Sequence, residues 1–304
     1  MDQPGRIHGA AAAAAPGGDV IVMKDEMGQP HQGKVFAAIH AHLDDIPHYG
    51  AGLCAKLMHE GYAGYLIRTS NDERSGGRST AENILNNEQD HARMAAALGF
   101  KDVFDFYYLN HDMDGISYID LRGRLILIFR LLKVDTVISF NPWEQWEQNP
   151  DHWVTGRAVE EASWMAAMPN DFPEHLEAGF QPHAVGERYY FCVRPGQPFN
   201  RVVDIGSHIE KKIDALVECK TQGDGNRGSM VRAELSHRGK RLPLLGDDDR
   251  SADRAYARQF LLEDDREYGK PHHLQYAERF YYADQRRSSR SNADEYIEKN
   301  AVPL

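Results

Sequence analysis

The sequence predicts an α/β fold built on an open sheet. Three observations carry that prediction. Short apolar runs occur at 35–39, 65–69, 103–109 and 134–140, helix-patterned stretches lie between them, and polar, chemically active residues cluster just after the runs. Apolar runs of this length bounded by turn signals read as buried strands, and their alternation with amphipathic stretches reads as α/β. Open sheets of this class bind ligands at the carboxyl ends of their strands.

The first run leads into residues 34–45, KVFAAIHAHLDD, and delivers His40, His42, Asp44 and Asp45 at its carboxyl end. Side chains alternate across a strand and the chain bends as it leaves the sheet, so adjacent carboxylates can take different jobs. Imidazole and carboxylate together suit Zn²⁺ or another borderline divalent ion. A third ligand has to come from elsewhere, and the best candidate stretch is Asn149-Pro150-Asp151-His152, after the fourth run.

Pro47 suits a first helical turn, Leu53, Leu57 and Met58 form an apolar stripe, and Gly61 ends that helix. Residues 70–79 read as a loop at the sheet edge. There Arg74 either neutralises an anionic group, hydrogen-bonds sugar hydroxyls or is simply solvated. A helix over 83–98 is closed by Gly99. Residues 110–115, NHDMDG, follow the third run, and His111 and Asp112 are read there as turn residues or direct participants. Helices are expected over 121–132 and 154–167, further strands over 189–193 and 201–203, and a helix over 205–219. Residues 143–148, WEQWEQ, have the aromatic and carboxamide composition of a carbohydrate rim or of a loop anchored by buried tryptophans.

A chain of 304 residues with 41% hydrophobic composition can bury a full core. A net charge of -11 argues against a nucleic-acid footprint, and no apolar run approaches the roughly 20 residues of a membrane span. Cys54, Cys192 and Cys219 are odd in number, far apart and without C-x-x-C spacing, which argues against a disulfide framework or a cysteine zinc site and makes a reducing cytoplasm the simpler home. The alanine-rich amino end has no continuous apolar core of a signal peptide.

The two motifs, HAHLDD at 40–45 and NPDH at 149–152, resemble those of the PIG-L/LmbE-like family of zinc-dependent N-deacetylases, whose pattern is A-H-P-D-D-E followed by H-P-D-H. The helix around Glu88 resembles the family's R-x-x-E helix, and Tyr276-Ala277-Glu278-Arg279-Phe280 resembles a late Y-A-E-x-F segment. The resemblance implies a Rossmann-like three-layer α/β/α fold with a mostly parallel sheet. It implies metal ligation by His42, Asp45 and His152, a general base at Asp44, and Asp151 orienting a histidine. It also implies substrate contact at Asp114, with Arg74 and His111 as further candidates.

The family histidine is replaced by Asn149, the sugar-binding arginine by Leu85, and a late histidine by Cys219. Asn149 can donate a hydrogen bond but neither a proton nor a charge.

The expected organisation is a flexible extension over 1–30, the deacetylase domain over 31–222, and a tail over 223–304 that packs on the active-site edge or in an oligomer interface, its last dozen residues mobile. The function implied is hydrolysis of an N-acyl group, N-acetyl in the simplest case, from an amino sugar or glycoconjugate. The cofactor is Zn²⁺, with Fe²⁺ or Mn²⁺ compatible with the same ligands, and a homo-oligomer is left open. The alternative is a carbohydrate-binding or assembly protein with weakened catalysis, motivated by Asn149, Leu85 and Cys219. A two-metal phosphoesterase lacks the additional ligands it needs.

Overall fold

The structure, a computed structural model, describes residues 20–143, 145–194, 196–222, 224–284 and 292–302. In chain order the strands are β1 (Ile21–Met23), β2 (Val35–His40), β3 (Ala63–Ser70), β4 (Asp102–Tyr108), β5 (Thr136–Phe140), β6 (Glu187–Phe191), β7 (Arg201–Asp204) and β8 (Ala277–Asp284). The helices are α1 (Asp45–Tyr49), α2 (Ala51–His59), α3 (Thr80–Leu98), α4 (Tyr118–Leu132), α5 (Pro150–Met165), α6 (Pro173–Glu177), α7 (Ile209–Glu218), α8 (Arg227–His237), α9 (Asp249–Tyr256), α10 (Glu263–Gly269) and α11 (Asn292–Asn300).

Among the described residues the strands form one eight-stranded sheet in the order β1-β7-β8-β6-β5-β2-β3-β4. Neighbours run parallel except β8, which is antiparallel to β6 and β7. The chain leaves β2 for β3 on one side and returns to its other side as β5. The carboxyl ends of β2 and β5 therefore flank a topological switch point, where a crevice opens.

Alternation along β2 builds two cores. Phe36 and Ala38 pack with Leu53, Met94 and Ile213 on one face, whereas Ala37 and Ile39 pack with Leu125, Phe129 and Val159 on the other. This is the three-layer α/β/α arrangement with a mostly parallel sheet. Strands buried on both faces carry continuous apolar runs, which is why they stand out in the sequence. Local signals set the helix ends. Ser79 and Glu82 form a capping box that starts α3 at Thr80 rather than at the expected 83, and Gly99 closes it at φ 99°.

The tail departs from expectation. Residues 277–284 lie inside the sheet as β8, between β7 and β6, rather than over its edge or in an interface. Pairing on both sides satisfies their backbone groups, and Ala277 and Phe280 enter the cores. The charged letters Glu278 and Arg279 disguised the strand: Glu278 is buried on Lys212, and Arg279 stacks over the Tyr268 ring. The expected unit of 31–222 thus omits two strands of its own sheet, since β1 pairs with β7.

Other boundaries shift less. The expected helix over 154–167 starts at Pro150, and that over 205–219 opens with a tighter turn, Gly206–His208, before α7. Of the last dozen residues, expected to be mobile, most belong to α11 or its end, while residues 1–19 of the expected extension lie outside the described residues. No described helix is long and apolar enough to cross a membrane.

Candidate metal centre and active site

The turn after β2 supplies His42, the first residue of α1 is Asp45, and the first turn of α5 carries His152. One donor atom from each lies within 4.8 Å of the others, and all three residues are buried. His42 Nδ1 stands 3.0 Å from His152 Nε2 and 3.7 Å from Asp45 Oδ2, and His152 Nε2 is 3.5 Å from Asp45 Oδ1. Donors of a tetrahedral ion bound at about 2.0–2.1 Å lie roughly 3.3 Å apart. These residues fit one such ion with small shifts.

Each donor is backed by a buried group. His42 Nε2 lies 3.1 Å from Asp151 Oδ2, so its Nδ1 faces the centre. The same Asp151 accepts the backbone N–H of His111 at 2.7 Å and of Met113 at 3.3 Å. Burial opposes protonation of His42, but Asp151, Asp45 and Asp72 outweigh it and raise its pKa to about 10. Burial would raise Asp151, yet His42 and the two amides hold it below the usual carboxylate range. Asp45 Oδ2 accepts the N–H groups of Ala41 and His42 at 3.1 and 2.7 Å, while burial pushes its pKa up.

His152 is fixed from two sides. Its ring stacks on Phe140 with centroids 4.1 Å apart, and Glu147 Oε1 approaches Nδ1 at 3.3 Å, an ion-pair distance without hydrogen-bond alignment. Burial disfavours the Glu147 charge, but His152, the Asn149 N–H and Arg194 prevail and lower its pKa to about 2. Sequence reasoning assigned Glu147 no role. The available signal was a carboxylate placed just before the helix that carries a candidate ligand.

Beneath the ligand turn, His40 Nδ1 meets the His42 carbonyl and its Nε2 lies 3.0 Å from His91 Nε2. Leu43 N–H donates to Asp72 Oδ2 at 2.9 Å, and buried Arg68 joins Asp72 to Asp105. His40 is thus a support of the turn outside the donor cluster.

Asp44 directly precedes α1, and its carboxylate groups with His48 and Asp224. The Gln222 amide lies against Asp44, and with its oxygen and nitrogen exchanged, the orientation that satisfies both ends, its nitrogen donates to Asp44 Oδ1 at 2.7 Å and Oδ2 at 3.1 Å. Asn149 is the N-cap of α5, its Oδ1 accepting the Asp151 N–H at 3.0 Å. Cys219 is fully buried, and burial holds its thiol well above its ordinary pKa, so it packs rather than reacts.

The substrate candidates lie at the lip. Arg74 makes a two-pronged pair with Asp112 at 2.9 and 2.6 Å and is 45% exposed. His111 is exposed, with φ 63° and its ring 6.2 Å from that of His42. Asp114 is exposed in the turn Met113–Gly115. The structure brings His111 to the histidine cluster but gives Asp114 no side-chain partner among the described residues.

Residues 37–163 match the family model described as PIG-L: GlcNAc-PI de-N-acetylase. Among individual proteins, the diacetylchitobiose deacetylase of Thermococcus kodakarensis is 28% identical over 194 residues, covering 62% of this chain and 70% of that protein. The solved N,N'-diacetylchitobiose deacetylase from Pyrococcus horikoshii superposes with a TM-score of 0.66 at 20% identity, covering 87% of this chain and 89% of its own. The 4-carboxy-2-hydroxymuconate hydratase GalB from Pseudomonas putida superposes with a TM-score of 0.58 at 20% identity, covering 82% and 96%.

Proposed function

We propose that this protein is a metal-dependent N-deacetylase of an amino sugar or glycoconjugate. The observation that supports this reading most is the convergence of His42, Asp45 and His152 with tetrahedral spacing at the switch point. When bound, a divalent ion, Zn²⁺ by the donor set with Fe²⁺ or Mn²⁺ as alternatives, supplies Lewis acidity that activates water and polarises the acyl carbonyl.

The protein's own residues do the rest. Asp44 takes the proton of the attacking water as that water adds to the acyl carbon, and Gln222 holds the carboxylate toward its task. Asp151 keeps the His42 tautomer with Nδ1 inward, and Glu147 does the equivalent work behind His152. As the carbon–nitrogen bond breaks, Asp44 returns the proton to the leaving amine. Asn149 contributes at most a hydrogen bond from Nδ2, since its Oδ1 is engaged as the helix cap. Exposed Trp143 and Trp146 at the rim suit stacking on sugar faces, and Arg74, His111 and Asp114 are candidates for hydroxyl contacts.

Asn149 favours a second reading, a carbohydrate-binding or assembly protein with weakened catalysis, and the hydratase shows that this fold also carries other activities. Elemental analysis of the purified protein, paired with acetate release from N-acetyl amino sugars before and after chelation, separates the readings. The deacetylase requires about one metal per chain and chelator-sensitive release. Metal without release across the panel supports the second reading.

A further inference from the structure

The peptide that joins His42 to Leu43 is held at both of its polar ends. His40 Nδ1 meets the His42 carbonyl oxygen, and Asp72 Oδ2 accepts the Leu43 N–H at 2.9 Å. These two holders are themselves joined. His40 Nε2 lies 3.0 Å from His91 Nε2, His91 Nδ1 faces Asp105 Oδ1 at 3.3 Å, and Arg68 bridges Asp105 Oδ1 at 2.7 Å and Asp72 Oδ2 at 3.2 Å. The contacts close a ring that starts and ends on one peptide group.

His40 ends β2, Arg68 lies in β3, Asp72 follows it, His91 sits on α3 and Asp105 in β4. All but Asp105 are buried, and Asp105 is 16% exposed. A carbonyl oxygen only accepts, so His40 donates from Nδ1, and its neutral ring then accepts at Nε2 the N–H of His91. Asp72 reaches the turn from left-handed backbone, φ 56°, which a non-glycine residue keeps only where its surroundings hold it. The Asn87 amide helps to do so, donating to the Asp72 carbonyl at 3.1 Å.

Such a network is a poor source of stability. Taking Arg68 and Asp72 out of water costs about what their attraction returns, and packed apolar side chains of equal volume serve a core as well or better. Apolar side chains cannot orient a peptide plane. The preceding peptide is fixed as well, its Ala41 carbonyl accepting the Ser70 hydroxyl at 2.8 Å and its His42 N–H donating to Asp45 at 2.7 Å. With both flanking planes set, the direction in which the His42 side chain leaves the backbone is set too.

We infer that His40, His91, Asp105 and Arg68, acting with Asp72, are positioning residues that lock the His42–Leu43 peptide so that the His42 ring meets the metal at the required angle. None of them is a donor to the ion. Their role presupposes the metal centre proposed above.

The test is Co²⁺ binding to the purified, metal-stripped protein, with affinity read by competition with a chelating indicator and donor geometry by the visible d–d absorption. His91→Phe keeps a ring of similar volume and removes the N–H that His40 accepts, whereas His91→Gln keeps an N–H near the same place. The Phe variant should bind Co²⁺ about 10- to 100-fold more weakly with displaced d–d bands, and the Gln variant should recover most of the affinity and the wild-type bands. Asp105→Asn, at the outer end of the ring, should weaken binding by a smaller factor, and it decides the matter if His91→Phe does not fold. Urea midpoints are measured alongside. Variants that lose stability yet bind Co²⁺ with wild-type affinity and bands overturn the inference, as does a Gln variant no better than the Phe one. Wild-type protein that takes up no Co²⁺ refutes the metal centre and the positioning role with it, whereas Co²⁺ bound alike by wild type and all variants refutes the positioning role alone.

Discussion

Glu147 Oε1 lies 3.3 Å from His152 Nδ1, behind a ring whose other nitrogen faces His42 and Asp45. The Glu147 side chain is completely covered and also receives the Asn149 N–H at 2.9 Å. A carboxylate so placed sets which nitrogen of the ring points at the centre. Substituting Glu147→Gln should weaken metal affinity about 10- to 100-fold with little effect on the fold. Competition with a chelating indicator reads this directly, and unchanged affinity would remove Glu147 from the positioning role.

Asp44 and Asn149 separate chemistry from ligation. The Asp44→Asn variant should retain the metal and lose turnover by about 10²-fold or more, because it removes the proposed base and leaves the donors untouched. Retained turnover with full metal content would refute the base assignment.

The Asn149→His variant carries two opposed effects. A histidine there can supply a proton or a positive charge, and the rate should rise if that position limits catalysis. It also removes the side-chain cap of α5, at a cost of about 1 kcal/mol in stability. Rate assays together with urea unfolding distinguish the two, and an unchanged rate would mean that Asn149 is not limiting.

Gly156 lies where α5 crosses β5. A Cβ at this position would sit 2.8 Å from the Phe140 carbonyl oxygen, on the backbone of the residue that stacks on His152. Gly156→Ala should therefore cost roughly 1–3 kcal/mol and weaken metal binding together, because the helix must move away from the strand. Loss of stability with unaltered metal affinity would show that His152 does not follow the helix.

Lys212 is buried with Asp265 at 2.8 Å and Glu278 at 2.9 Å, and it also donates to the His48 carbonyl of α1 at 2.8 Å. Burial, aided by the neighbouring Glu278 charge, raises Asp265 to about 6 against the opposing pull of Lys212. The folded carboxyl thus holds its proton where the unfolded one has released it. Its contribution to stability is greatest below about pH 4 and declines as pH rises toward 6. Urea midpoints measured from pH 4 to 7 should fall more steeply in the wild type than in Asp265→Asn, and parallel profiles would contradict the assignment.

The interior strands and the first helices were legible because each has a local cause. Val35 to Ile39 is apolar on both faces since both faces are covered, and Gly99 marks a helix end that needs a positive φ. The strand β8 was not legible. Glu278 and Arg279 read as surface residues until Lys212 and Tyr268 are brought to them from distant parts of the chain.

The same division runs through the site. By its motifs alone the sequence determined the donors His42, Asp45 and His152 as candidates, because residue type and position after a strand are local properties. Only the tertiary structure decided what stands behind them. Asp151 behind His42 and Gln222 beside Asp44 are contacts between segments far apart in sequence. Glu147 lies within a few residues of His152, yet even its role depends on how the loop before α5 folds back under the ring. Such contacts arise from the parallel pairing of β2 with β5 at the switch point, which no short window of residues encodes.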